Sequence, residues 1–133
     1  MNSWREWLWI ALAGAFGACA RVGLSLLVHQ HFGNALAWGT MSVNVLGSFA
    51  FGVIVQIGLS SNWLPDELRL ALTMGFLGDF TTFSTFEYEA LRMVADGGLY
   101  QAALLNVFLS VTAGFAAAWA GIVVARLLLH GRI

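Results

Sequence analysis

This sequence contains no lysine, a single proline, a single cysteine and few charged residues of any kind. Charged residues make up 10% of its 133 residues, compared with about 25% in an ordinary soluble domain. Because 59% of the residues are hydrophobic, the chain cannot cover a globular surface with charge. This composition excludes a soluble domain and predicts an integral membrane protein. The net charge of −1 gives no reason to expect nucleic acid as a partner.

The residues that catalysis requires are also missing. A lone cysteine, Cys19, excludes an intramolecular disulfide, and its apolar neighbours favour a small packing residue. The histidines fall at predicted membrane interfaces, and the sequence has no metal-ligand cluster and no phosphate-binding loop. We therefore expect a protein that is not an enzyme.

Four apolar stretches are long enough to cross a bilayer, which takes roughly 20 residues. The first is longer than the apolar region of a signal peptide, so it is interpreted as a spanning helix. It is followed by the interfacial sequence His-Gln-His, and the last stretch follows an Asp-Gly-Gly turn. These observations predict one four-helix transmembrane domain over residues 1–133, with spans at about 4–28, 35–59, 65–94 and 99–129.

The third span is interrupted. Pro65 is expected in its first helical turn, followed by Asp66 and Glu67, which favour a helix N-terminus. Further along, residues 75–86 read GFLGDFTTFSTF, with two glycines and four hydroxyl side chains. Polar backbone is costly in hydrocarbon unless it is buried in protein or lines a wet cavity. The pattern predicts a helix that is broken near residues 78–82, and such breaks commonly build ion sites.

Four spans place both termini on the same side of the membrane. Four arginines lie toward that side, namely Arg5, Arg69, Arg126 and Arg132, and Arg92 lies toward the other. Because positive residues favour the cytoplasmic side, this excess of a few arginines places the termini in the cytoplasm. The bias is weak enough that both insertions are conceivable. Four short helices are too few to enclose a pore well on their own. The 15 glycines favour close contacts between helices. We expect an oligomer, in which any inverted symmetry comes from a second chain.

Two stripes of polar side chains follow helix faces. Thr40, Asn44 and Ser48 recur every four residues in the second span, and Asn106 and Ser110 do so in the fourth. One interpretation is a seam in which polar groups hydrogen-bond between helices. The other is a polar track along a pore. Neutral donors suit an anion path, because conduction requires weak binding at several sites.

Three further features leave alternatives open. Phe80, Phe83 and Phe86 recur every three residues, which favours packing, although ring edges carry partial positive charge and could contact an anion. Arg21 either snorkels or lines a vestibule that attracts anions. Asp79 lies in the middle of the third span. There it either pairs with an arginine or lies in a hydrated pocket, or it helps to hold a cation at the break.

Four segments of the sequence resemble one known family. Residues 14–21 (GAFGACAR), 39–49 (GTMSVNVLGSF), 75–86 (GFLGDFTTFSTF) and 103–110 (ALLNVFLS) are similar to the Fluc/CrcB fluoride channels. The similarity covers essentially the whole chain in order, and the TTFSTF string is its most specific part. It implies a passive fluoride-selective channel that exports fluoride from the cytoplasm. It also implies an all-α membrane protein that forms an antiparallel, dual-topology homodimer with two pores in the cell inner membrane.

The resemblance also implies roles for individual residues. Phe83 and Phe86 correspond to pore phenylalanines, Asn44 and Ser110 to polar pore residues, and Arg21 to a vestibule residue. Asn106, Thr82 and Ser84 are assigned to the same pore. The backbone carbonyls of Gly78 and Thr81 are expected to hold a structural sodium ion between the subunits. The sequence departs from the family at two positions, with Asp79 where glycine is frequent and Asn106 where tyrosine is frequent.

Two other functions fit the size of the chain. The first is a dual-topology multidrug exporter, although proton-coupled exchange would require a carboxylate embedded in the first span, which has only the terminal Glu6. The second is a structural membrane protein, which would leave the two polar stripes unexplained. The expected partners are therefore the fluoride ion, a second copy of the chain and the bilayer.

Overall fold

The computed structural model describes residues 4–33 and 36–130, with only the backbone of His130. Within these residues every regular element is helical, as the sequence predicts. The third span is built from several short pieces, one of them a π-helix. The elements are α1 (Trp4–Phe32), α2 (Trp38–Ser60), α3 (Asp66–Leu70), the π-helix (Ala71–Leu77), α4 (Gly78–Phe80), α5 (Phe83–Gly97) and α6 (Tyr100–His130).

Three of these helices are each long and apolar enough to cross a membrane: α1, α2 and α6. The third span crosses as a composite of α3, the π-helix, α4 and α5, and the helix is interrupted at Thr81 and Thr82. This interruption lies inside the predicted range of residues 78–82. The four-span architecture with a broken third helix is therefore confirmed, and the chain is a multi-pass membrane protein.

The predicted end of the first span was one turn short. The helix continues past Val28 to Phe32, because nothing in the sequence His-Gln-His opposes a helix, and it stops where Gly33 adopts φ 68°. The Gly33 N–H donates to the carbonyl of His29 at 3.0 Å. A glycine in this left-handed conformation is a common helix terminator. Gly98, with φ 60°, ends α5 in the same way, so Asp96 and Gly97 of the predicted turn belong to its last helical turn.

The start of the third span also differs from the prediction. Pro65 precedes the helix with φ −54° and ψ 144°, and its carbonyl accepts a hydrogen bond from Arg69 N–H at 2.9 Å. It is therefore the capping residue, and Asp66 and Glu67 occupy the first turn as predicted. The start predicted for the second span, at residue 35, lies outside the described residues, as does Arg132.

Helices α2 and α6 pack closely through glycines. A methyl group added to Gly52 would overlap the carbonyl oxygen of Ala118, and one added to Gly121 would overlap that of Phe49. Small residues at such contacts allow the two backbones to approach, and the resulting van der Waals packing favours helix association in lipid.

Helix α1 packs against the π-helix and α4 in the same manner. Gly17 lies directly over the Phe76 carbonyl, and Gly14 lies beneath the carboxylate of Asp79. The buried cluster between these elements and α2 consists of Val43, Leu77 and Phe80. The break in the third span is therefore held between α1 on one side and α2 on the other.

Two arginines at the end of the bundle that holds the termini, Arg69 and Arg126, contact neighbouring helices. Arg69 Nη1 donates to the carbonyl of Gly58 in α2 at 3.1 Å, and its Nη2 lies 2.9 Å from Asp66. Arg126 Nε donates to Gln56 Oε1 at 3.4 Å. These contacts join α2, α3 and α6 at one end, as expected for helices that alternate in direction.

Candidate functional site

One side chain of α2 binds the backbone at the break in the third span. Thr81 and Thr82 have extended backbone conformations, with ψ 158° and ψ 118°. The amide of Asn44 in α2 binds both polar groups of the Thr82 backbone. Thr82 N–H donates to Asn44 Oδ1 at 2.7 Å, and Asn44 Nδ2 donates to the Thr82 carbonyl at 2.9 Å. Asn44 thus satisfies backbone groups that would otherwise be costly in hydrocarbon.

The hydroxyl groups of the TTFST sequence satisfy more of the break. Thr82 Oγ1 accepts a hydrogen bond from Thr85 N–H at 3.3 Å, which caps α5, and Thr82 Oγ1 donates to Thr85 Oγ1 at 3.0 Å. Thr81 Oγ1 donates to the Leu77 carbonyl at 2.9 Å. These residue types are needed here because each offers an oxygen close to its own backbone.

The carbonyls of Gly78 and Thr81 lose the donors that a continuous helix would supply. In an α-helix their partners would be the N–H groups of Thr82 and Thr85, four residues further on. Those two N–H groups donate instead to Asn44 Oδ1 and Thr82 Oγ1. Two freed carbonyl oxygens, three residues apart, are hard ligands that suit an alkali or alkaline-earth cation. The residues present therefore fit the expected cation.

A cavity of about 470 Å³ opens beside the break, between α2, the third span and α6. None of the described residues that line it is charged. Its polar groups come mainly from hydroxyls and one amide, and its walls carry several phenyl rings. The lining includes Asn44, Ser48, Thr73, Thr81, Thr82, Ser110, Phe51, Phe83, Phe86 and Phe115.

The two phenylalanines of the TTFSTF string lie side by side at this cavity. Their ring centroids are 5.8 Å apart and the planes are inclined by 44°. Phe86 is buried, with 8% of its surface exposed, whereas Phe83 is 70% exposed in the protomer. Phe80, the third member of the repeat, packs in the core between α1 and α2. Phe80 is therefore a packing residue, whereas Phe83 and Phe86 border the cavity, and their contact with an anion stays a prediction.

The polar stripe on α6 contributes two buried side chains, of which one borders the cavity and the other does not. Ser110 borders the cavity, and its Oγ has no hydrogen-bond partner in the described part of the chain. Asn106, one turn away, is fully buried, and neither its Nδ2 nor its Oδ1 has a partner there. Asn106 does not line the cavity, although buried polar groups of this kind normally have a partner or an ordered water.

The structure brings most of the predicted site residues together. Asn44, Thr82, Phe83, Phe86 and Ser110 line one cavity, along with Gly78 and Thr81. Ser84 is exposed outside it, and Arg21 lies half-buried on α1, also outside it.

One polar lining residue was missed, and so were the rings of Phe51 and Phe115. Thr73 lies in the π-helix, where its Oγ1 donates to the Arg69 carbonyl at 2.8 Å. Its hydroxyl was the only signal in the sequence, because a π-helix changes the spacing on which face assignments depend.

Comparison with known proteins agrees with this geometry. The family model described as "CrcB-like protein, Camphor Resistance (CrcB)" matches residues 8–122. The chain is 46% identical over 121 residues to a protein of Geobacter sp. (strain M21) named Fluoride-specific ion channel FluC, covering 91% of this chain and 97% of that protein. It is 47% identical over 117 residues to the protein of the same name from Geobacter sulfurreducens, covering 88% and 94%. The identity to that of Magnetococcus marinus is 44% over 120 residues, covering 90% and 97%.

Proposed function

Since the chain belongs to the CrcB family, we propose that it is a fluoride channel that lets fluoride leave the cytoplasm passively. The names of its relatives support fluoride as the transported ion. A channel carries out no chemical conversion, so the protein is not an enzyme.

The neutral cavity beside the break is the observation that carries this proposal. An anion needs hydrogen-bond donors to replace its hydration shell, but a full positive charge in the path would trap it. Here the lining supplies amide, hydroxyl and phenyl groups without any charged side chain among the described residues. The absence of a carboxylate in that lining also disfavours the multidrug exporter, because proton-coupled exchange would require one at the substrate site.

Individual groups in this lining can contact fluoride. Ser110 Oγ has no other described partner and can donate its proton to the ion. Asn44 uses one hydrogen of its Nδ2 for the Thr82 carbonyl and retains the second. Phe83 and Phe86 present ring edges, which carry partial positive charge. Asn106 and Ser84 are proposed to extend the path beyond the cavity, and Arg21 to attract anions into a vestibule.

The functional unit proposed is an antiparallel homodimer with two pores. In one protomer, Phe83 is 70% exposed although it borders the cavity, so the cavity lacks a wall on that side. A second copy would cover this side and complete the pore. At the centre of the pair, the freed carbonyls of Gly78 and Thr81 from both copies would hold a structural cation, which we propose to be sodium. It would stabilise the crossing of the two breaks without permeating.

Fluoride efflux from proteoliposomes tests the proposal. Vesicles loaded with potassium fluoride and containing the purified protein should release fluoride when a potassium ionophore balances the charge, as read by a fluoride electrode. Vesicles loaded with potassium chloride should release far less anion under the same conditions. Protein-free vesicles with the ionophore give the leak. Equal rates for the two halides, or fluoride release at the rate of the leak, would contradict the proposal.

A further inference from the structure

Ser48 lines the cavity beside the break but is not among the fluoride contacts proposed above. It lies four residues after Asn44, which is about 6 Å along a helix that rises 1.5 Å per residue. Its side chain is half-buried, and its hydroxyl forms no hydrogen bond with any of the described residues. The wall of the cavity therefore holds a polar group that is available to a ligand.

The hydroxyl of Ser48 differs in this respect from other hydroxyls on the helices. Thr73 and Thr112 each donate to the carbonyl four residues earlier, at 2.8 Å and 2.7 Å. That carbonyl is a common local partner of serine and threonine in a helix. Ser48 has the same option in the carbonyl of Asn44, and the structure shows no such bond among the described residues. Its proton is therefore free for donation into the cavity.

The packing of α2 against α6 places a glycine opposite Ser48. The two helices run in the same direction, because one composite span separates them, and they touch where Gly52 meets Ala118. One turn before this contact, Ser48 Oγ lies 3.7 Å from the position that a methyl group on Gly114 would occupy. Gly114 itself offers no side chain there, so the space in front of the hydroxyl stays open.

One turn further back along both helices, Asn44 and Ser110 line the same cavity. The Oγ of Ser110 has no partner in the described part of the chain, although the residue is only 8% exposed. The seam between α2 and α6 thus carries donors at two levels, about 6 Å apart. An anion that leaves the first level meets a new donor at Ser48, and conduction requires such weak binding at several sites.

Phenyl rings also accompany the second level. Phe51 follows Ser48 by three residues and Phe115 is adjacent to Gly114, and both rings line the cavity. Their edges carry partial positive charge. We propose that Ser48 is a further fluoride contact, whose hydroxyl donates to the ion at a second level of the path that Gly114 leaves open. The inference rests on the proposed function, because it adds a contact to the same path.

Ser48→Ala tests the donor. The change removes a hydroxyl that bonds to no described residue, and alanine favours a helix, so the unfolding midpoint should stay equal or rise. We expect fluoride efflux from proteoliposomes to fall by about three- to tenfold, because water replaces only part of the lost hydrogen bond. Ser42→Ala is the matched control, since Ser42 is a half-buried serine of the same helix outside the cavity. It should keep the wild-type rate.

Two variants at Gly114 test the open space. A methyl group in Gly114→Ala makes only ordinary contact with Ser48 Oγ, so the protein should fold normally while the methyl group fills the space in front of the donor. Efflux should fall. The double variant Ser48→Ala with Gly114→Ser returns a hydroxyl to the same level from the other helix. It should recover most of the flux that Ser48→Ala loses, which a role of Ser48 in packing would not explain.

Efflux is compared per amount of reconstituted protein, after elution volume and unfolding midpoint show that each variant is folded. Wild-type efflux through Ser48→Ala or Gly114→Ala would overturn the inference, and so would a double variant that is no faster than Ser48→Ala. If Ser48→Ala does not fold, Gly114→Ala decides alone. Fluoride release by the wild-type protein is measured in the same series. Its presence with unaffected variants defeats only this inference, whereas its absence defeats the proposed function.

Discussion

Asn44 joins α2 to the break in the third span. The sequence predicted a polar residue on a face of the second span, and the structure places both ends of its amide on the backbone of Thr82. The spacing of four residues identified the face correctly. It could not identify the partner, because that partner lies 38 residues away and backbone groups leave no trace in the side-chain pattern.

Replacing Asn44 with aspartate tests this role. The change keeps the acceptor for Thr82 N–H but places a second oxygen against the Thr82 carbonyl, and it adds a charge that repels fluoride. We expect fluoride efflux to be nearly abolished and the protein to lose about 1–3 kcal/mol of stability, the cost of leaving a partly buried carbonyl unpaired. Flux is measured in proteoliposomes and stability by thermal unfolding in detergent. Gln56→Glu makes the same chemical change outside the cavity and should keep full flux. Unchanged efflux through Asn44→Asp would remove this residue from the pore.

Phe83 allows a test of whether its ring edge contributes to fluoride flux. It is largely exposed in the protomer, so Phe83→Ile should preserve folding while removing the electropositive edge. We expect at least a tenfold lower efflux, with an unchanged elution volume on a sizing column. Phe86→Ile should also reduce flux, but it will cost stability as well, because Phe86 is buried. Phe16→Ile is the control, since Phe16 is exposed on α1 away from the cavity. Wild-type efflux through Phe83→Ile would assign this phenylalanine to packing.

At the scale of elements, the sequence predicted the positions of the long helices and of the break, but not the π-helix. The positions of α1, α2 and α6 were predictable because apolar length is specified along the chain, and the break was predictable because its glycines and hydroxyls interrupt that length. The π-helix was not predictable, since a change from i→i+4 to i→i+5 hydrogen bonds leaves the composition unchanged and only shifts which side chains share a face. Thr73 was therefore not assigned to the cavity.

The glycine contact between α2 and α6 also belongs to this scale. Gly121→Ala adds a methyl group that would overlap the Phe49 carbonyl, so the two helices would have to separate. We expect a loss of about 1–3 kcal/mol, as for other overpacked contacts, and a lower yield of folded protein. Gly23→Ala makes the same change at a position with no atom within 4 Å, where alanine should be neutral or stabilising by up to about 1 kcal/mol. The two unfolding midpoints give the comparison, and equal values would contradict close packing at Gly121.

At the scale of the whole molecule, the four-span topology was predictable and the assembly was expected only by resemblance. Inside a membrane, the lipid tails are as apolar as leucine, so a helix face that contacts lipid has the same composition as one that contacts another helix. The exposed rings of Phe16, Phe83 and Phe115 illustrate this. Each is as suitable for lipid as for a second chain, although Phe83 and Phe115 border the polar cavity and Phe16 does not. The site of one protomer and its exposed surface therefore meet at residues that hydrophobicity alone does not distinguish.

The link between Asn44 and Thr82 also has a consequence for the order in which the protein is made. Asn44 precedes Thr82 by 38 residues, so at about 5–20 residues per second it leaves the ribosome a few seconds earlier. The second helix therefore has a few seconds in which to enter the membrane before the broken segment is made. When Thr82 is made, the side chain that pairs with its backbone N–H and carbonyl already exists, so these polar groups need not wait for a later part of the chain.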